Sequence, residues 1–381
     1  MGPLAGLKIV EFAGLGPGPF AAMMMADMGA DVLRIDRKNA RPVLSPDDPA
    51  TNLLARGRRS VGLDLKSPQG IETALRLVDQ ADGLIEGFRP GVMERLGLGP
   101  DVCMPRNETL VYGRMTGWGQ DGPLADAAGH DINYISLTGV LAAIGRADTG
   151  PVPPLNLVGD FGGGGMLMAF GLVCAMLEAR QSGKGQIVDA AMTDGSAILM
   201  TGIFGFFKSG AWSSKREDNI LDGAAPFYGT YQCADGEWLS VGSIEPQFFD
   251  ILLDKIGLTK EAYGEQWDKP RWPEQRQVLA DAFAGKSRDD WCDLMEGSDI
   301  CFAPILNMGE ATQHPHNVAR QTFVTHNGIE QPAPAPRFSR TPPELGISAP
   351  APGSNTREGL ADWGLTDAEL DTLTAAGAIQ S

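Results

Sequence analysis

The chain is short of histidine, cysteine and positive charge, and each shortage removes a class of protein. Four histidines among 381 residues leave few groups able to exchange a proton near neutral pH. The five cysteines, Cys103, Cys174, Cys233, Cys292 and Cys301, are scattered and never fall in a CxxC spacing. That pattern argues against a disulfide framework or a zinc site, and for reduced thiols in the cytoplasm. The 31 Lys and Arg stand against 48 Asp and Glu, a formal net charge of −17. Such a balance argues against the basic surface that nucleic-acid binding needs. It leaves open a polyanionic small ligand, because a few local arginines create a positive pocket in an acidic protein. No apolar run approaches the ~20 residues of a membrane span. The start, MGPLAGLKIVEF, has neither the basic opening nor the apolar core of a secretory signal. The expectation is a cytoplasmic protein with no membrane partner, in which the apolar stretch Ile198 to Phe207 is a buried helix.

What is present suits an ordinary globular protein, with 43% hydrophobic and 21% charged residues. The length exceeds a single core and predicts two domains. Leu7 to Phe12 is apolar and β-rich, Gly14 to Pro19 interrupts it, and Phe20 to Met28 has an Ala- and Met-rich helix pattern. Asp31 to Ile35 then reads as a second strand. A dinucleotide-binding unit has the same outline, but Pro19 occupies the third glycine position of GxGxxG, which argues against NAD. Further strands are predicted at Ser60 to Leu65, Ala81 to Ile85, Leu110 to Met115 and Gln186 to Ala190. Ser67 and Pro68 have the residue types of an N-cap and first helical position, opening a helix to Gln80. Alternation of short strands and helices predicts an α/β fold with a Rossmann-like parallel sheet. Tyr228 to Gln232 and Trp238 to Val241 predict a hairpin, and with Cys301 to Leu306 and intervening helices they make a smaller α+β domain. The expected division is a large domain over 1–200, a connector over 201–224, the small domain over 225–310, and a segment over 311–381 returning to the large domain.

The segment Gly129 to Phe161 holds the chemistry. His130 is the only histidine with an acid beside it and a glycine before it. Asp160 follows the apolar Leu155, Leu157 and Val158 and precedes Gly162 to Gly165, so it is expected at a strand-to-helix turn, pointing into a cleft. Arg56, Arg58 and Arg59 cluster before the third strand. On their residue types alone they are either phosphate ligands or a solvated basic loop.

The runs RMTGWGQDGPLADAAGHDINY (Arg114 to Tyr134) and PPLNLVGDFGGGG (Pro153 to Gly165) resemble the α-methylacyl-CoA racemases, within the wider family III CoA-transferases. The resemblance covers essentially the whole chain, including LKIVEFAGLGPGPFAAMMMADMGADVLRIDR, EGFRPGVMERLGLGP and SIEPQFF. It implies the family's two-domain fold as an interlocked homodimer acting on an acyl-CoA. Catalysis is then expected from His130 and Asp160, with Glu245 or Asp131 supporting the imidazole. CoA contacts are expected from Arg37, from Leu63, Asp64, Leu65 and Lys66, from Gly87, Phe88, Arg89 and Arg95, and from Gly129 through Tyr134 (Ile132 and Asn133 included). No metal and no separate cofactor is expected, CoA being part of the substrate.

The chemistry follows from the thioester. Its α-hydrogen is weakly acidic because the carbonyl delocalises the resulting carbanion as an enolate. Inverting that carbon takes a proton from one face and returns one to the other, which calls for two acid/base groups. A family III CoA-transferase would instead use the aspartate at 160 as a nucleophile that carries an anhydride. The histidine at 130 favours proton transfer. A noncatalytic acyl-CoA-binding protein is the third reading, and retention of His130, Asp160 and Glu245 argues against it.

Overall fold

A computed structural model describes residues 2–41 and 48–381. The chain divides into two compact units, one comprising residues 1–140, 154–200 and 321–381, the other residues 141–153 and 201–320. Residues 141–153 therefore group with the second unit, as do residues 201–224, and the segment after 320 groups with the first.

The first unit is built on one sheet. Its strands are Lys8–Phe12 (β1), Asp31–Arg37 (β2), Arg59–Leu63 (β3), Gly83–Glu86 (β4), Val111–Thr116 (β5) and Ile187–Ala191. The last is β8, because the two-residue strands Gly145–Arg146 (β6) and Gly150–Pro151 (β7) fall in the second unit. All neighbours pair in parallel, in the order β3-β2-β1-β4-β5-β8. Period-two alternation sends successive side chains to opposite faces, and a parallel sheet covered on both sides needs both sets apolar. Val10, Phe12, Leu33, Ile35, Leu84 and Tyr112 accordingly enter one core. Their strand neighbours Ile9, Val32, Ile85 and Val111 enter the other.

Helices Pro17–Asp27 (α1) and Pro68–Val78 (α2) begin at prolines. The Ser67 hydroxyl caps α2 by accepting from the Gly70 N–H at 3.0 Å. Short helices Val92–Arg95 (α3) and Pro100–Arg106 (α4) follow, then Asp131–Ser136 (α5) and the single turn Val140–Ala143 (α6). Leu157–Met166 is π-helical and runs directly into Leu167–Ser182 (α7). This overturns the expected strand-to-helix turn at Asp160. It also produces one continuous 26-residue helical run, Leu157–Ser182, long and apolar enough by length and composition to cross a membrane. In the fold that run lies on the sheet, with Met168 and Leu172 fully buried and facing Gly113 of β5.

The glycines have a packing reason. Met192–Leu199 (α8) crosses the π-helical stretch backbone to backbone: a Cβ on Gly163 would lie 2.6 Å from the Ser196 nitrogen. A Cβ on Gly195 would overlap the Gly163 carbonyl oxygen. After α8 the chain breaks at Met200 and resumes as Thr201–Lys208 (α9), which has no buried residue. Ile198, Leu199, Phe204, Phe206 and Phe207 are all exposed, so the expected buried helix is a surface segment.

The second unit has its own antiparallel sheet of Tyr228–Gln232 (β9), Trp238–Gly242 (β10) and Phe302–Ile305 (β11). Its core joins Phe227, Tyr231, Leu239 and Val241 to Phe249, Leu252, Trp272, Phe283 and Trp291. Among the described residues, no group of three or more His, Cys, Asp and Glu is arranged to hold a metal ion.

Candidate active site

His130 stands at the N-cap of α5 in extended conformation, exposed to solvent. Its backbone is clamped from both sides. The His130 N–H donates to Asn133 Oδ1 at 3.1 Å, and the His130 carbonyl accepts from the Asn133 N–H at 2.8 Å. Asn133 is thereby a positioning residue, and Ile132 beside it is exposed. Tyr134 donates its hydroxyl to the Gly129 carbonyl and packs edge-on against Trp118, with ring centroids 4.7 Å apart. These contacts fix the turn that presents the imidazole.

Asp131 is buried, and its Oδ2 accepts the backbone N–H of Asp160 at 2.7 Å, while its Oδ1 is buried with no partner among the described residues. The expectation that Asp131 orients the imidazole therefore needs correction. Its side chain turns toward the space that Gly159 leaves by lacking a Cβ, and holds the π-helical backbone instead.

Asp160 belongs to the π-helical stretch, not to a strand-to-helix turn as expected. Such wide turns are rare and recur at functional sites. Asn156 donates its Nδ2 to Asp160 Oδ2 at 3.0 Å. Gly16, at the start of α1 with φ of 69°, leaves room for the carboxylate, since a Cβ there would sit 2.9 Å from Asp160 Oδ2. Burial pushes the Asp160 pKa above the ordinary carboxylate value, opposed by the Asn156 hydrogen bond. The negative charge of Asp131 raises it further and the nearby His130 lowers it. His130, 30 positions earlier in the chain, thus lies near enough for its charge to influence Asp160. A carboxyl held toward neutrality beside an imidazole is suited to giving and taking protons.

A cavity of about 1170 Å³ in the first unit is lined by Phe12, Leu15, Gly16, Phe88, Arg37, Asp64, Leu65 and Lys66 among others. It therefore includes the glycine against which Asp160 packs. Arg37 and Lys66 on its wall are exposed, as are Arg89 and Arg95 on the loop after β4 and on α3. Among the described residues none of these four pairs with a carboxylate. The Arg56–Arg58–Arg59 cluster differs, and neither sequence reading of it holds. Arg56 pairs with Asp27 at 2.6 Å, Arg58 with Glu11 at 2.8 Å, and Arg59 with Asp31 at 2.8 Å and with Asp362. Those cations are spent on structure.

Leu63 is fully buried in β3, so its side chain belongs to the core and not to the cavity wall. Gly87 is exposed, and the Phe88 N–H donates to Glu86 Oε2 at 2.8 Å, fixing the loop on which Arg89 lies. Glu245 lies in the second unit, exposed, at the N-cap of Pro246–Lys255. Sequence reasoning missed Asn39, Arg41 and Pro352 on the cavity wall, and Asn156 beside Asp160. The asparagine four residues before the acid is the one signal that local spacing offered for Asn156.

A parallel α/β sheet with an acid on a π-helical turn near a histidine is a fold and site suited to proton-transfer chemistry. The model of the family described as CoA-transferase family III matches residues 4–356, and the chain belongs to that family. It is 43% identical over 380 residues to the alpha-methylacyl-CoA racemase of Mus musculus, spanning 99% of this chain and 98% of that one. The Homo sapiens alpha-methylacyl-CoA racemase is 42% identical over the same coverage. A crystal structure of a CAIB/BAIF family protein from Brucella suis superposes with a TM-score of 0.80, covering 95% of this chain and 99% of that one, at 24% identity. That likeness establishes the same fold.

Proposed function

We propose that this chain is an α-methylacyl-CoA racemase, interconverting the R and S forms of 2-methylacyl-CoA thioesters. The observation that carries the reading is an acid, Asp160, within the electrostatic reach of His130 and packed against Gly16, a glycine that also lines the cavity carrying Arg37 and Lys66, cations without a carboxylate partner among the described residues. The phosphates of CoA take Arg37 and Lys66, with Arg89 and Arg95 flanking the arm, because arginine and lysine supply charge-assisted hydrogen bonds to phosphate oxygens. The thioester then lies by Asp160.

One of the two groups takes the α-proton and leaves an enolate. The other delivers its own proton to the opposite face, and the roles exchange with the enantiomer. Each turnover moves one proton onto the enzyme and one off it, so solvent exchange resets the pair. An imidazole at 130 favours this use over nucleophilic attack, because a nucleophilic carboxylate needs no second acid/base group. The role in imidazole support that the family resemblance implies for Glu245 is tested by Glu245→Gln. A homodimer is part of the reading: the exposed Phe204, Phe206 and Phe207 of α9, with Ile198 and Leu199, give the kind of apolar surface that a second copy covers. A monomeric mass by light scattering of active enzyme excludes it.

The test of the reaction is α-proton washout in heavy water. Wild-type enzyme is expected to incorporate deuterium into both enantiomers of a 2-methylacyl-CoA. Asp160→Ala and His130→Ala are expected to retain exchange, with retained configuration, for opposite enantiomers. Wild-type enzyme that moves CoA to free carboxylates without α-exchange is a transferase, and this reading falls.

A further inference from the structure

One of the sheet's two edges is β3, and residues 377–380 pair along it. Asp64 N–H donates to the Ala378 carbonyl at 2.9 Å, Gln380 N–H donates to the Gly62 carbonyl at 2.8 Å, and Leu63 bridges Ile379 in antiparallel register. Ile379 is buried in the core, so the segment is held independently of its last side chains. From this anchored position Gln380 reaches into the wall of the cavity. Its Oε1 accepts the Asn39 N–H at 3.0 Å, and its Nε2 donates to the Pro352 carbonyl at 3.2 Å. Asn39 and Pro352 line the cavity and come from segments more than 300 residues apart in sequence.

Two further features mark this as a fitted contact. The slot for the Gln380 side chain is walled by two glycines: a Cβ on Gly62 would lie 2.6 Å from Gln380 Oε1, and one on Gly353 would overlap the same atom. Asn39 has φ of 58°, a left-handed conformation that a non-glycine residue holds at a cost unless its surroundings fix it. That turn lies between Arg37 and Arg41, both on the cavity wall, and Lys38 within it donates its ammonium to the Gly377 carbonyl at 2.7 Å. Residues 377–380 thus hold both the backbone of the turn and its one intervening cation.

We propose that Gln380 is a positioning residue for the nucleotide end of acyl-CoA. Its carboxamide sets the spacing between the Asn39 turn and the Pro352 segment, and so the direction in which Arg37 and Arg41 face the phosphates. The inference rests on the assignment of this cavity to CoA. It predicts an effect on binding without an effect on the chemical step, since His130 and Asp160 are held by α5 and the π-helical stretch.

The test compares Gln380→Ala, Gln380→Glu and Arg37→Ala with wild type. KM and kcat are measured for a 2-methylacyl-CoA, the Kd of free CoA by calorimetry, and Tm by thermal unfolding. Gln380→Ala removes two hydrogen bonds and is expected to raise KM and Kd about five- to tenfold, with kcat within about twofold and Tm little changed. Gln380→Glu keeps the acceptor for Asn39 but loses the donor to Pro352, and is expected to fall between. Gln380→Ala with wild-type KM and Kd overturns the inference, as does a fall in kcat and Tm with KM unmoved, which marks a merely structural contact. If Arg37→Ala also leaves CoA binding unchanged, the assignment of the cavity fails as well, so the two failures are told apart.

Discussion

The Asp131 carboxylate accepts the backbone N–H of Asp160 at 2.7 Å, so one acid of the site holds the main chain of the other. That bond places two carboxyl groups close together. The charge of Asp131 is one of the influences raising the Asp160 pKa, after burial. Replacing Asp131 with Asn keeps an acceptor for the N–H and removes the charge. The expected outcome is a downward displacement of the acid limb in the pH profile of kcat/KM, with a modest loss of kcat. Asp131→Ala also loses the hydrogen bond, and is expected to lower kcat by a further factor of about ten. An unmoved acid limb in Asp131→Asn assigns that limb to a group other than Asp160.

Asp160 also carries a stability consequence. Its folded pKa is raised above the ordinary value of 3.8, so the folded state favours the protonated carboxyl. That contribution to stability is fully present below pH 3.8 and is lost as pH rises through the folded pKa. At neutral pH the ionised group is a net burden on the fold. Asp160→Asn is therefore expected to abolish racemisation and to raise Tm at pH 7, with the gain shrinking toward pH 4. A lower Tm for Asp160→Asn at pH 7 contradicts this account.

The buried pair of Glu11 and Arg58 makes a contrasting case. Both side chains are fully buried, and burial raises the Glu11 pKa and lowers that of Arg58. Among the described residues Glu11 Oε1 and Arg58 Nε and Nη2 have no partner. Arg58→Met alone leaves an uncompensated buried carboxylate and is expected to cost about 3–5 kcal/mol. Combining it with Glu11→Met is expected to recover most of that loss, because an incompletely satisfied buried pair offers little over apolar packing. Chemical denaturation of the three variants measures the coupling.

The crossing of α8 over the π-helical stretch predicts a strict size limit. Gly195→Ala puts a methyl group into the Gly163 carbonyl, backbone against backbone, so neither side yields by a rotamer change. The expected cost is about 3 kcal/mol or more, with loss of activity, since the displaced segment carries Asp160. Gly202→Ala, where a Cβ would meet nothing within 4 Å, is the matched control and is expected to be near neutral.

Much of the sheet was legible in the residues. Short runs such as KIVEF and DVLRIDR, with β-branched residues and flanking glycine or proline, have the length and composition of strands. Ser67 and Pro68 announced the start of α2 by residue type alone. His130 and Asp160 stood out because histidine is scarce and the flanking motif is long. The run of four glycines misled, because glycine weakens helices on average and here is needed for a close helix crossing.

The sequence by itself determined the order of the elements, the parallel sheet and the pair of residues suited to proton transfer. Those properties are written in short-range periodicity and in side-chain chemistry. Tertiary structure alone decided which charges are free to act. Arg58 is neutralised by Glu11 and Arg56 by Asp27, 47 and 29 positions away, while Arg37 and Lys66 are left without a carboxylate partner among the described residues. It likewise decided that Asp131 serves the Asp160 backbone and that Gln380 reaches the wall of a cavity begun near Phe12. The reason is the same in each case: a charge or carboxamide is assigned by what folding brings within about 3 Å of it, and no local pattern in the chain encodes that distance.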